Sequence, residues 1–210
     1  MNWNDLLTRF KQQPLFDAAK LAGFTDPDSK VKEQVVCWIH EKKLVKVHQW
    51  WCMIEKPWRE TEIPLPVVAN YVLHPSYLSV EWALQYYDMI PDFVPNPTSI
   101  TICRRMLFSA LDAIFIYHHV PVDFFHGHSQ DKVDDFKINI ACPEKALLDK
   151  IYIFLQANPF SLKWLEEIKL QNLDDFDLKK FKQLAEGMNN EALGEALNIT
   201  SSYIRAQKRK

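Results

Sequence analysis

The sequence predicts an α+β protein in two parts, and three observations carry that prediction. Near the N-terminus apolar residues recur at the spacing i, i+3, i+4, i+7 of one helix face, and the period then shortens into two β-branched and aromatic runs. A proline-bearing stretch at 56–66 interrupts the pattern. Beyond it, extended segments mix with helical ones, and from Ser161 onward the chain is proline-free and helical in pattern.

Taken in order, Trp3, Leu6, Leu7 and Phe10 form the stripe of a first helix, which Pro14 stops because proline cannot continue a helix. Pro14 suits the start of a short second helix over Phe16–Ala22, and Gly23 supplies the left-handed geometry that ends it. After the turn Thr25-Asp26-Pro27, Asp28 or Ser29 can cap a third helix running to about Lys43, with Val31, Val35, Trp38 and Ile39 on one stripe. Leu44–Val47 and Trp50–Ile54 then read as a hairpin around His48-Gln49, a dipeptide without the usual Asn-Gly turn chemistry.

Three short helices followed by a hairpin is the order of a winged helix-turn-helix, here over residues 1–55. In that geometry the third helix enters the major groove of double-stranded DNA. The side chains it would offer are Ser29, Lys30, Lys32, Glu33 and Gln34, with Lys46 and His48 on the wing. Lysine positions a protein on phosphates or guanines, and glutamine carries the paired donor and acceptor that adenine's major-groove edge requires. Residues 1–55 hold eight Lys/Arg against seven Asp/Glu, so this unit is close to neutral. The alternatives are a merely solvated face, or a protein-binding winged-helix module without DNA affinity.

Residues 56–66, with Pro57, Pro64, Pro66, Glu60 and Glu62, read as an extended linker to a second domain over 67–210. Val67–Leu73 is a short helix or strand. Ser79–Asp88 is a helix with Ser79 as N-cap, Val80, Ala83, Leu84 and Tyr87 inward, and Pro91 as terminator. Ser99–Cys103, Ile114–His119 and Phe136–Ala141 are strands of a small sheet. Cys142-Pro143-Glu144 opens a helix to about Gln156, on which Lys145 and Asp149 stand one turn apart as a pair. Helices over Ser161–Leu170, Asp177–Glu186 and Asn190 to about Gln207 complete the chain.

Composition narrows the function classes. The chain has 210 residues, 48% of them hydrophobic, with seven tryptophans and a net charge of −2, which excludes wholesale disorder. None of the four glycines forms a Gly-x-Gly pair, so no dinucleotide fingerprint or phosphate-cradling loop can be written. Cys37, Cys52, Cys103 and Cys142 form no Cys-x-x-Cys and read as small core side chains. No run is long enough to span a membrane, and the N-terminus is unlike a signal peptide, so the sequence predicts a soluble, cytoplasmic protein with no membrane partner. The terminal Arg205, Lys208, Arg209 and Lys210 form its densest basic cluster.

Two constellations of catalytic or metal-binding type can be written. Asp92 with Asp135-Phe136-Lys137 can be aligned to a Mg²⁺-dependent nuclease of the PD-(D/E)xK kind, in which carboxylates hold the metal and lysine helps activate water. His118, His119, His126 and His128, with Asp123 and Asp131, could supply ligands to a transition metal. Adjacent histidines on a strand point to opposite faces, however, and a loop rich in His, Gly, Ser and Asp is usually solvated. The expectation is a non-enzymatic protein with no cofactor and no metal, and the nuclease is the alternative from another class.

The segment Ser76-Tyr77-Leu78-Ser79-Val80-Glu81-Trp82-Ala83-Leu84, followed by Met89-Ile90-Pro91-Asp92 and Thr98-Ser99-Ile100-Thr101, resembles the middle of AbiEi-type antitoxin and transcriptional-regulator proteins. Pro143-Glu144-Lys145-Ala146-Leu147-Leu148-Asp149 is similar to that family's most recognisable motif. With the winged helix, the resemblance spans nearly the whole chain. It implies an N-terminal DNA binder that represses its own operon at operator repeats. It also implies a C-terminal antitoxin domain that counteracts a nucleotidyltransferase-like toxin of type IV toxin-antitoxin and phage abortive-infection systems. The sequence departs from the pattern in three places. Asp88 stands where glycine is usual, the arginines before the second strand are reduced to Arg104 and Arg105, and the wing lacks its customary glycine and arginine.

Overall fold

The computed structural model describes residues 1–26, 29–186 and 190–208. Among these, eight α-helices, two 3-10 turns and two sheets make a mixed α+β protein. Helix α1 (Trp3–Phe10) opens on a reciprocal cap: the Asn2 side chain accepts from the Asp5 amide at 2.9 Å, and Asp5 accepts from the Asn2 amide at 3.0 Å. Leu6 is its buried anchor, flanked by half-buried Trp3, Leu7 and Phe10.

The next segment corrects the sequence reading. Leu15–Asp17 is a strand, β1, followed by a single 3-10 turn at Ala18–Lys20, where the sequence predicts one helix over Phe16–Ala22. The reason is nonlocal: Leu15 and Phe16 point to opposite faces of a sheet that is buried on both sides, a partnership the local pattern does not display. Gly23 has φ +76°, and a Cβ there would stand 2.8 Å from Ser29 Oγ, so glycine is required. Helix α2 (Val31–His40) ends before the expected Lys43, because the chain turns at Lys42, whose φ is 55°. Of the two proposed caps, Asp28 lies outside the described residues and Ser29 accepts from the Val31 amide at 3.3 Å. Strands β2 (Leu44–His48) and β3 (Trp51–Ile54) form the predicted hairpin, turned at Gln49 in the left-handed region and bulged between Lys46 and His48.

These strands form a sheet in the order β1-β3-β2 that serves two cores. One face, with Phe16, Leu44, Cys52 and Ile54, packs on α1 and α2; the other, with Leu15, Val47 and Met53, joins the larger core of the chain. The proline-bearing stretch is packed rather than free, with Ile63 only 9% exposed.

Helix α3 (Leu65–Val72) resolves the helix-or-strand choice over Val67–Leu73. Strand β4 (Ser76–Leu78) and helix α4 (Val80–Tyr86) follow, and the chain then reverses at Asp88, whose φ is 54°. The Asp88 carbonyl accepts from the side chains of Gln171 and Asn172 at 3.1 and 2.9 Å, so the aspartate is held where glycine would sit without strain. Next come β5 (Thr98–Thr101), β6 (Met106–Ala110), β7 (Ala113–His119), a 3-10 turn at Val122–Phe124, β8 (His128–Val133) and β9 (Phe136–Ala141). The sheet has six strands in the order β6-β7-β5-β4-β9-β8, with β4–β9 and β5–β7 parallel and the remaining pairs antiparallel. Three of these strands were not expected. Strand β4 has only three residues, β6 has no β-branched residue, and β8 is a polar edge strand that gains its order from pairing with β9.

Helix α5 (Pro143–Leu155) starts at Pro143 as the sequence predicts. It is followed by α6 (Leu162–Glu167), α7 (Leu178–Gln183) and α8 (Glu191–Gln207), capped by the side chains of Ser161, Asp177 and Asn190. Tyr77 donates to Asp149 of α5 on one face of the sheet, whereas Tyr117 donates to the Ala69 carbonyl of α3 on the other. Because α7 and α8 pack outside α5, Glu144 through Asp149 are all buried. Lys208 donates to the carbonyls of Asp174 and Phe176, while Arg209 and Lys210 lie outside the described residues. Among the described residues no helix is long and apolar enough to cross a membrane.

Candidate functional site

Helix α2 begins on a short run of charged side chains. Lys30 occupies its N-cap position, and Lys30, Lys32 and Glu33 are exposed. Lys46 of β2 is exposed as well, and the hairpin brings it toward Lys32: their ammonium groups lie 5.5 and 5.3 Å from the centre of the same ring, Trp50. Trp50 is set by an edge-on contact to Phe24 at 4.9 Å. A second lysine–tryptophan contact, Lys20 over Trp51 at 5.9 Å, belongs to the other face of the sheet, where Trp51 packs against the larger core. The free amides at a helix N-terminus carry partial positive charge, so lysines beside it add to a field that attracts phosphate.

The structure sorts the seven predicted contact residues. Lys30, Lys32, Glu33 and Lys46 are open to a partner, and Ser29 is half-buried with its hydroxyl accepting from the Val31 amide. Gln34 is half-buried with Oε1 enclosed and without a partner among the described residues, so in this conformation it does not offer the acceptor a bidentate adenine contact needs. His48 turns toward the larger sheet and stacks on Phe108 of β6 at 4.4 Å, and burial, helped by nearby Lys46, holds its imidazole below the usual range. The sequence reading missed Trp50; its one signal was an aromatic residue at the strand start.

The residues of the two constellations of catalytic or metal-binding type fall on several elements. Asp92 lies exposed after α4, Asp135 sits in the β8–β9 turn, and Lys137 is exposed on β9. His118 is half-buried, whereas His119 is exposed, with Nδ1 2.9 Å from the Cys103 carbonyl oxygen. His128 stacks on Tyr77 at 4.4 Å, and burial keeps both His126 and His128 below the usual imidazole range. Among the described residues no group of three or more His, Cys, Asp and Glu is placed to hold a metal ion. The cysteines divide: Cys52 is buried, with its thiol pushed up to about 11 by burial, while Cys37 is exposed rather than in the core.

The Pro143 motif, which the sequence predicts as a helix start, also holds a buried charge pair. Lys145 is fully buried, its ammonium 2.6 Å from Asp149 Oδ1 and 3.3 Å from the centre of the Phe124 ring. Ser79 donates to Asp149 Oδ2 at 2.6 Å and Tyr77 at 3.1 Å. Ser79 therefore spends its hydroxyl on Asp149 instead of capping α4. Burial pushes the Asp149 carboxyl up and the Lys145 ammonium down, against their mutual attraction. At Gly127, φ +74°, the backbone passes so close that a Cβ would stand 3.1 Å from Lys145 Cγ. Glu144 accepts from the Asp177 amide at 3.1 Å and pairs with Lys180 at 2.8 Å, which ties α5 to α7. Lys150 pairs with Glu81 at 2.6 Å and so ties α5 to α4. The motif is a buried clamp, legible in principle because Lys145 and Asp149 stand i, i+4 amid apolar neighbours.

No protein-family model matches the sequence, and no curated protein matches it.

Proposed function

We propose that the chain is a non-enzymatic, DNA-binding transcriptional regulator of the AbiEi antitoxin type. Its N-terminal unit acts as a winged helix-turn-helix on operator repeats, and the rest of the chain counteracts a nucleotidyltransferase-like toxin. The observation that carries the reading is the meeting of Lys32 and Lys46 over Trp50 at the N-terminal end of α2, next to exposed Lys30. The order α1, β1, 3-10 turn, α2, β2, β3 supports it, since it sets one helix and one hairpin side by side as a groove reader requires. Phosphate attraction supplies most of the affinity, and Trp50 fixes the two lysines relative to each other.

The test is retention of DNA from the chain's own upstream region in a salt series. Affinity should fall steeply with salt, and Lys30→Ala and Lys32→Ala should each reduce the slope by about 1. Absence of salt-sensitive binding would overturn the reading. Mg²⁺-dependent cleavage of that DNA, lost in Asp135→Ala, would replace it with the nuclease. The antitoxin half is tested by co-expression with a nucleotidyltransferase-like protein encoded beside this chain, where restored growth is expected.

A further inference from the structure

A cleft of about 480 Å³ lies between the hairpin β2–β3 and the β6–β7 turn, and the DNA reading makes no use of it. Its apolar walls are Val45, Met53, Ile63, Leu65 and Leu111. Its polar lining is Arg59, Glu55, Glu62 and Asp112.

Arg59 is the anomaly. Its side chain is only 10% exposed, and Nη2 donates to Glu62 at 3.0 Å. Nε and Nη1 are buried with no partner among the described residues. A guanidinium keeps its charge, so this is a permanent buried cation with most of its donors unmet, which a fold rarely tolerates without use. Glu62 cannot make up the deficit, because it is largely exposed and shared with Lys56 at 2.6 Å.

The β6–β7 turn, which also lines the cleft, carries Leu111 and Asp112 with φ 54° and 57°, both in the left-handed region. An Asn-Gly pair would adopt that turn without strain, so a leucine and an aspartate held there place their side chains at a cost. Among the described residues the Asp112 carboxylate makes no ion pair or side-chain hydrogen bond, and the Glu55 carboxylate accepts only from the Lys56 amide. The cleft is thus lined by an under-used cation, under-used carboxylates and apolar side chains.

We propose that this cleft binds a small zwitterion with an apolar body, an α-amino acid of the leucine, methionine or phenylalanine type. Arg59 receives the carboxylate, Asp112 and Glu55 receive the ammonium, and the side chain lies against Val45, Met53, Ile63 and Leu111. The volume suits a ligand of that size. Neighbouring side chains close off Nε and Nη1, so the carboxylate engages them as the walls part. The site does not depend on DNA binding.

Calorimetric titration of the full chain with L-leucine, L-methionine and L-phenylalanine tests it, with thermal unfolding in parallel. At least one should bind saturably and raise the Tm. Arg59→Gln should weaken that binding by at least about tenfold, as should Asp112→Asn at the exposed turn, which stands in if Arg59→Gln fails to fold. For a leucine site, 4-methylpentanoate, the same skeleton without the amine, should bind about tenfold more weakly. No saturable binding by any of the three up to about 10 mM would overturn the proposal, as would full-strength binding to a folded Arg59→Gln. Equal affinity for leucine and 4-methylpentanoate would also overturn it, because nothing would then read the ammonium.

Discussion

Lys32 and Lys46 stand at the surface with their charges over Trp50, whereas Lys145 lies wholly out of solvent against Asp149 and Phe124. The same side chain has opposite consequences in the two places. At the surface water already solvates the ammonium, so the charge costs the fold little and stays available to a polyanion. In the core each charge has lost its water and is held by its partners, so removing one leaves the other stranded. The N-terminal surface is therefore where substitution should change binding, and the Pro143 motif is where it should change stability.

The largest expected effect falls on the buried pair. Lys145→Met should cost about 3 to 5 kcal/mol in urea unfolding, because it strands Asp149. The double variant Lys145→Met with Asp149→Leu should recover much of that. A small loss in the single variant would show that Asp149 is protonated in the folded protein and that the pair is not ionic.

Glu144 comes next. Burial raises its carboxyl, but the Lys180 pair and the backbone donors outweigh burial and hold it below the ordinary glutamate value of 4.5. Its contribution is therefore complete above that value and is lost as pH falls through the lower, folded one. Glu144→Gln should lower stability by about 1 to 2 kcal/mol at neutral pH and flatten its acid-side decline. Unfolding curves for both proteins at neutral and acid pH measure this; parallel declines would discount the carboxylate.

At the surface the comparison inverts. The double variant Lys30→Ala with Lys32→Ala should leave stability within about 0.5 kcal/mol while weakening DNA binding by about tenfold or more. The smallest effect is at Asp88. Relieving its left-handed conformation in Asp88→Gly should stabilise by less than about 1 kcal/mol, since glycine's own entropy offsets part of the gain. Unchanged or lower stability would show that the Asp88 side chain has a use of its own.

Legibility followed the range of the interactions. The stripes of α1 and α2, the hairpin, the start of α5 and the starts of the last two helices near Asp177 and Asn190 were readable, because each depends on residues within a few positions of one another. Strand β1 and the edge strand β8 were not, since their order comes from partners far away in the chain. At the candidate interface the sequence indicated Lys30, Lys32 and Lys46. It could not show that His48 would turn toward Phe108 or that Gln34 would enclose its oxygen.

Local periodicity by itself determined that this chain has an α+β build with lysines at the start of a helix and on a hairpin. Tertiary structure alone decided which charges meet water and which are sealed in. Periodicity records which face of an element is apolar. Whether a charged residue on that element is solvated or buried depends on what packs against it, and Lys145 is enclosed because the sheet lies on one side of α5 and two helices on the other.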